Sequence, residues 1–327
     1  MNPKILFTCK IADSDVRARL AAVCDLVEIE ITKPAELAER VGDCEGIIVP
    51  YTPEPLITRE VMDAAPRLRL VGTTYGGVRQ NVDDTYALSK GLTVIHTGAS
   101  RVEPMAEYTL ALILSSLMQT HNYHHYMRSG EAWPRTKFPR TRMLRGRSVG
   151  VIGYGRIGQG IIERLRSFTA DLSVQSNHLT EAEAQAAGLK KRALDDLFRE
   201  CEVIVLAGGY NPSTHHLIRR RHFDLMRENA LFVNIARGKM VNEAEMTDAV
   251  RERPIYLALD VFEVEPLPAN SPLRENDRVL ITPHRANNPI EFEQRWQTLA
   301  GEIETFIRGE TPDSALSPER AAVMSES

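Results

Sequence analysis

Short runs of aliphatic and β-branched residues alternate with longer runs of mixed polarity along most of the chain. Ile5–Thr8, Gly46–Val49, Leu70–Gly72 and Thr93–Ile95 form a first series of predicted strands. Ser148–Ile152, Leu172–Gln175, Val203–Leu206, Leu231–Ile235, Tyr256–Leu259 and Val279–Thr282 form a second. The runs are largely apolar, the pattern of strands buried on both faces, and helical stretches separate them. This repetition predicts an α/β fold of two doubly wound parallel-sheet domains.

Between the two series lies one long apolar helix, from about Pro104 to Met127. Ala106, Thr109, Leu110, Ile113, Leu114, Leu117 and Met118 fall on one side of it at helical spacing. Ser100 and Glu103 predict a capping box at its start. So much apolar surface reads either as plain core or as a shared dimer interface. The final stretch, Thr311 to Ser327, is polar and predicts a loose tail.

Composition narrows the field. A chain of 327 residues with a formal net charge of -4 has room for two cores and offers no electrostatic reason to expect nucleic acid or a membrane surface as partner. No segment is apolar for long enough to span a bilayer. Cys9, Cys24, Cys44 and Cys201 are scattered and read as reduced thiols. The opening Met1–Phe7 lacks the apolar stretch of a signal peptide, so the expectation is a cytoplasmic protein. His121, His124 and His125 include one pair at helical ligand spacing, but no further metal ligands accompany them, and no metal is expected.

The strongest local signal is Gly153-Tyr154-Gly155-Arg156-Ile157-Gly158. It follows one predicted strand and opens a helix, which is the setting of a dinucleotide-binding turn. Gly153 allows the tight turn, Gly155 lets backbone approach a pyrophosphate, and Gly158 lets helix and strand pack closely. The free amides at the helix start attract the phosphates. The next strand ends at Ser176, Asn177 and His178, where an NAD-specific site usually has an acid for the ribose hydroxyls. Asp171 sits at the wrong end of that strand, while Lys190, Lys191 and Arg192 are candidates to lie near a 2′-phosphate. The reading leans towards NADP over NAD; the alternative is that these are ordinary loop residues and both cofactors bind.

Three further motifs stand at later strand ends: Asn234-Ile235-Ala236-Arg237-Gly238, Leu259-Asp260-Val261-Phe262-Glu263-Val264-Glu265-Pro266 and Thr282-Pro283-His284. With the glycine turn, they resemble the D-isomer-specific 2-hydroxyacid dehydrogenase family, to which glyoxylate and hydroxypyruvate reductases, D-lactate dehydrogenases and phosphoglycerate dehydrogenases belong. The resemblance implies hydride transfer between NAD(P)H and a small 2-keto or 2-hydroxy acid, with Arg237, Glu265 and His284 as catalytic residues. Arg237 would bind the substrate carboxylate, His284 would be the general acid or base, and Glu265 would orient and stabilise the imidazolium. Asp260 would face the nicotinamide amide, and Met105 would lie beside the ring. Gly209, Tyr210, Thr214, Ile235 and Ala236 would line the cofactor.

By the same resemblance the domains are discontinuous. A Rossmann domain, residues 101–285, would be inserted into a flavodoxin-like substrate domain of residues 1–100 and 286–327, with the active site between them. The helix near Pro104 would build a homodimer. The chain departs from the family in four places. Its substrate loop reads Gly76-Gly77-Val78, where Val78 narrows the space above the amides that would hold a carboxylate. Arg101 replaces a small polar residue; it reads either as a group pointing into the cleft to bind a second substrate group or as an exposed helix-start residue. Arg285, Ala286, Asn287 and Asn288 follow the catalytic His where an apolar residue and then a Gly or two are usual, and Gly209 stands where Pro is common. Formate or phosphite oxidation would need a site shaped for a tiny anion. A different class remains open, a non-catalytic dinucleotide-sensing binding protein of the same fold, although the complete Arg, Glu and His set favours catalysis.

Overall fold

The computed structural model describes residues 2–287 and 289–323; Asn288 and the final Met-Ser-Glu-Ser lie outside the described residues. The chain divides into two compact units, Met1–Arg101 with Ile290–Ser327, and Val102–Pro289.

The first unit is built on five parallel strands, β1 (Lys4–Phe7), β2 (Asp25–Glu28), β3 (Gly46–Val49), β4 (Leu70–Thr73) and β5 (Thr93–His96), in the order β2-β1-β3-β4-β5. That order is the one found in flavodoxin-like sheets. Every residue of β3 and β4 is buried, as a strand covered by helices on both faces requires. Ile47, Val49, Val71 and Val94 join one core cluster, and Ile5, Phe7, Ile48 and Ile95 another.

The second unit carries seven parallel strands, β6 (Val149–Ile152), β7 (Leu172–Gln175), β8 (Lys190–Lys191), β9 (Val203–Leu206), β10 (Leu231–Asn234), β11 (Tyr256–Leu259) and β12 (Val279–Ile281), ordered β12-β11-β10-β9-β6-β7-β8. The order reverses between β6 and β9, the switch point outside whose carboxyl ends an α/β sheet binds its ligand.

The long helix departs from expectation. It is two helices, Val102–Met118 and Thr120–Arg128, broken at Gln119, whose φ of 57° is left-handed. Such a residue costs roughly 1–2 kcal/mol. The break is held by Gln119 Nε2 donating to Ser116 O at 2.6 Å and by Asn122 Nδ2 donating to Gln119 Oε1 at 2.8 Å and to Asp277 O at 2.6 Å. The first helix buries Ala106, Thr109, Ile113 and Leu117 as expected, and Met105, Leu112 and Ser116 besides; Leu110, Leu114 and Met118 are only half-buried. It lies close against the helix Arg156–Leu165, where a Cβ on Gly160 would stand 2.5 Å from Val102 Cγ1.

The predicted capping box does not hold the start of this helix. A 3-10 turn, Gly98–Arg101, leads straight into it, so the chain arrives already coiled. Ser100 Oγ donates to Thr97 O at 2.7 Å, and Glu103 pairs with Arg164.

The tail is also corrected. Ser314 is fully buried, accepts the His96 N–H and donates its own N–H to Glu302 Oε2 at 3.0 Å. Leu316 N–H donates to Val94 O at 2.9 Å, and Leu316 and Ala321 enter the core of the first unit. A polar stretch with two apolar anchors is enough to dock.

Candidate active site

The turn after β6 is built by steric necessity. Gly153 has φ 101°, and a Cβ there would stand 2.7 Å from the Gly208 backbone. A Cβ on Gly158 would meet Gly153 O at 2.2 Å. Gly155 differs, because nothing lies within 4 Å of where its Cβ would be. It is the N-cap of the helix Arg156–Leu165 and offers no side chain to the first amides. Open space in front of uncapped amides fits a bound pyrophosphate.

Beyond β7, Ser176 Oγ accepts the His178 N–H at 3.2 Å and Asn177 Oδ1 accepts from Gln175 Nε2 at 3.2 Å. Asn177 and His178 are exposed. Two of the three basic residues named for this edge are engaged elsewhere. Lys190 pairs with Asp171 at 2.8 Å, and Arg192 Nε donates to Ser173 Oγ at 3.0 Å while its guanidinium pairs with Glu200 at 2.5 Å. The cause is register: β8 aligns Lys190 with Ser173 and Lys191 with Val174, so the basic run lies alongside β7 rather than past its end.

After β9, the Thr214 hydroxyl accepts the Asn211 N–H at 2.8 Å and lies 3.2 Å from Gly209 O, closing the Gly209–Thr214 loop on itself. Tyr210 Oη lies 3.3 Å from His215 Nδ1. At the end of β10, Asn234 Oδ1 accepts the Ala236 N–H at 3.0 Å and its amide nitrogen donates to Arg237 O at 3.3 Å. This side chain, fully inside the fold, bends the backbone so that Arg237 emerges half-buried with Nη1 on Ala236 O at 2.8 Å.

Asp260, at the end of β11, is completely buried and takes three donors: Thr282 Oγ1 at 2.6 Å, Arg285 N at 2.9 Å and Ala286 N at 3.0 Å. A buried carboxylate is tolerated when so fully bonded. It anchors the segment after β12, and His284 N–H donates to Asp260 O at 2.8 Å. His284 itself is left-handed at φ 52°, a conformation that persists where neighbours over-determine it. Its Nδ1 stands 2.7 Å from Glu265 Oε2, and Glu265 Oε1 accepts the Phe262 N–H at 2.9 Å. Both oxygens of Glu265 are therefore assigned. A cavity of about 670 Å³ opens beside the pair, walled by Phe262, Leu267, Arg274 and Ile281.

Two residues at this site, Tyr108 and Thr282, were not among the expected site residues. Tyr108 reaches the Thr282 hydroxyl from the helix Val102–Met118, and burial pushes its phenol above the ordinary range. Thr282, quoted only as the start of a motif, is what ties Asp260 to the end of β12.

A family model described as D-isomer specific 2-hydroxyacid dehydrogenase, NAD binding domain, matches residues 110–286, just over half of the chain. The chain belongs to the D-isomer specific 2-hydroxyacid dehydrogenase family. Its second unit thus carries the family's NAD binding domain. Among relatives, a glyoxylate reductase of Thermofilum pendens is 31% identical over 97% of this chain and 95% of its own length. A D-3-phosphoglycerate dehydrogenase of Methanocaldococcus jannaschii is 31% identical over 86% of this chain, which spans only 53% of that protein. A solved NADPH-dependent glyoxylate/hydroxypyruvate reductase of Sinorhizobium meliloti, in complex with NADP and malonate, is 25% identical, with a TM-score of 0.75 and coverage of 100% of this chain and 99% of that one.

Two expectations for the first unit of this family member need correction. Val78 does not narrow the space above the Gly76–Gly77 amides; its side chain is fully buried and joins the core with Val82 and Ala87. Arg101 is half-buried, not the exposed helix-start residue that one of its two readings expected. Its guanidinium lies over the Tyr75 ring at 4.0 Å and against Gly76, where a Cβ would meet its Nε at 2.9 Å. Among the described residues no three His, Cys, Asp or Glu side chains group to hold a metal ion. His121 is half-buried and donates from Nδ1 to Ser115 O at 3.3 Å.

Proposed function

We propose that this protein interconverts small 2-keto and 2-hydroxy acids, with Arg237, Glu265 and His284 as its catalytic set. The observation that carries the reading is the 2.7 Å pairing of His284 Nδ1 with Glu265, on strand-end loops of the sheet that also bears the glycine turn. A carboxylate on Nδ1 selects the tautomer that carries its proton there and leaves Nε2 to face substrate. In reduction, His284 gives a proton to the carbonyl oxygen, and Glu265 stabilises the imidazolium before that transfer. Arg237 holds the substrate carboxylate through its planar fork of donors. A reduced nicotinamide dinucleotide, held by the Gly153–Gly158 turn, supplies the hydride when bound.

We infer NADP in preference to NAD. Ser176, Asn177 and His178 put no carboxylate at the end of β7 to repel a 2′-phosphate, and the two exposed residues are free to approach it. We also infer a cytoplasmic homodimer. The half-buried Leu110, Leu114 and Met118, with Trp133 at 72% and Met143 at 65% exposure, support a self-association surface. The four cysteines are unpaired, as reduced thiols would be. Among the described residues no helix is long and apolar enough to cross a membrane.

The deciding experiment is the oxidation of NADPH and NADH against glyoxylate, hydroxypyruvate, pyruvate, phenylpyruvate and an acid with a second carboxylate. Turnover with NADPH favoured supports the reading. Dinucleotide binding without turnover on any acid overturns the enzymatic assignment in favour of a sensing role.

A further inference from the structure

Arg237 and Glu265 belong to different loops, after β10 and after β11, and reaction requires both to keep a fixed spacing. Their neighbours are bonded to one residue that stands outside either loop. His216, in the connection that follows the Gly209–Thr214 loop, donates its backbone N–H to Lys239 O at 2.9 Å, two residues past Arg237. Its ring nitrogen Nε2 meets Glu263 Oε1 at 2.6 Å, two residues before Glu265. Its backbone is left-handed, φ 48°, an unfavourable state for a non-glycine residue that the surrounding bonds must hold. Arg219 Nε donates to His216 O at 3.1 Å, and the His215 ring stacks on the His216 ring at 4.0 Å.

Glu263 carries the connection further. Its other oxygen accepts the Glu243 N–H at 3.1 Å, and its own N–H donates to Glu243 Oε2 at 2.9 Å. The two glutamates thus clasp each other's backbone, tying the Glu265 loop to the start of the helix Glu243–Glu252. The Arg237 turn touches the same place. A Cβ on Gly238 would overlap the Phe262 carbonyl carbon at 1.8 Å, so the turn is seated directly on the Phe262–Glu263 peptide. Phe262 N–H, in turn, fixes the Glu265 carboxylate. Burial of Glu243 beside Glu263 and Glu265 raises its carboxyl above the ordinary range, consistent with a crowded acidic cluster.

We propose that His216, acting through Glu263 and its clasp with Glu243, is a positioning residue that holds the Arg237 turn and the Glu265 loop in one register. Nothing in this geometry brings His216 to the reacting atoms. Its contribution is to the aim of the two groups that do the chemistry. The proposal rests on the catalytic reading of Arg237, Glu265 and His284.

The experiment compares His216→Ala, which keeps the backbone N–H but loses the ring, with His216→Gln, whose amide can still donate to Glu263. Each is assayed with NADPH and glyoxylate, titrated with NADPH alone, melted, and examined for the low-field proton of His284 Nδ1 by NMR. His216→Ala is expected to lower kcat by on the order of 10–100-fold, since small misplacements carry penalties of that size. KM, NADPH affinity and melting temperature stay near wild type, the Nδ1 proton signal is lost or shifted, and His216→Gln recovers most of both. Unchanged kcat and an unchanged Nδ1 signal in His216→Ala overturn the proposal. So does a joint loss of kcat, NADPH affinity and melting temperature that His216→Gln does not repair, which marks a purely structural role. If wild type turns over no acid, the catalytic reading fails on that result alone, and the Nδ1 signal still decides whether His216 sets the Glu265–His284 pair.

Discussion

His284 Nδ1 stands 2.7 Å from Glu265 Oε2, and the pair sits on loops that Asp260 and Phe262 hold from the backbone side. Neither side chain is deeply buried, so the pairing is a matter of aim more than of a low-dielectric interior. Its value lies in presenting Nε2 outward with a carboxylate behind it.

In the proposed mechanism, removing the imidazole removes the proton donor while leaving the dinucleotide turn untouched. His284→Ala is expected to lower kcat by about 10²–10⁴-fold, the usual worth of a positioned acid or base, with NADPH affinity unchanged. Glu265→Gln should also act on kcat, because the amide oxygen can accept from Nδ1 but cannot stabilise a cation. Steady-state kinetics beside a fluorescence titration with NADPH separate the two readouts. Full activity in His284→Ala would remove it from the mechanism.

The glycine turn gives a test that distinguishes folding from binding. Gly153→Ala places a side chain at φ 101° and 2.7 Å from Gly208, so it should destabilise the unit by roughly 1–2 kcal/mol or more. For a unit of this size that is a melting-temperature drop of roughly 2–4 °C per kcal/mol. Gly155→Val meets open space, so its melting temperature should be near normal while NADPH affinity falls steeply. Thermal melts with and without NADPH report both. Equal NADPH affinity for Gly155→Val and wild type would mean that the phosphates lie elsewhere.

How much of this was legible in sequence depended on how local each feature is. Ten of the strands announce themselves as apolar runs, and each is present within a residue of its predicted ends. β2 and β8 carry no such run: Asp25–Glu28 is polar at both ends, and Lys190–Lys191 is two lysines. The break at Gln119 was invisible for a different reason. Its left-handed backbone is held by Asn122, which also reaches Asp277, 155 residues away in sequence. Arg237, Glu265 and His284 could be found because each stands in a strand-end motif. The bonds that position them, from His216, Glu243 and Asp260, join separate segments, and no spacing reveals them.

Cofactor choice turns on the end of β7. With Lys190 and Arg192 turned to Asp171, Ser173 and Glu200, the proposed preference for NADP rests on the missing carboxylate at Ser176–His178. Ser176→Asp should therefore repel the 2′-phosphate and accept the ribose hydroxyls, moving the ratio of kcat/KM towards NADH. An unchanged NADPH to NADH ratio would show that the edge of β7 does not contact the ribose.

The last prediction concerns acid stability. His222 is completely buried, its ring 5.2 Å from that of Phe198, and its Nδ1 accepts the Arg219 N–H at 2.9 Å. Only a neutral imidazole can accept there, and burial first, then the Arg221 charge, push its pKa below the ordinary value. Burial lowers His121 in the same direction. In the unfolded chain both take up a proton near pH 6.5, about the value for a free imidazole, while the native state resists it. The unfolded state then binds more protons, so stability is fully present above that pH and is lost as pH falls towards the lowered native value. Melting temperature should hold steady from about pH 8 to 7 and decline below about pH 6.5. His222→Gln can offer an amide oxygen to the same Arg219 N–H without a titrating group, so its decline should be shallower. If the two melting curves fall in parallel with acid, proton uptake by His222 is not what weakens the fold.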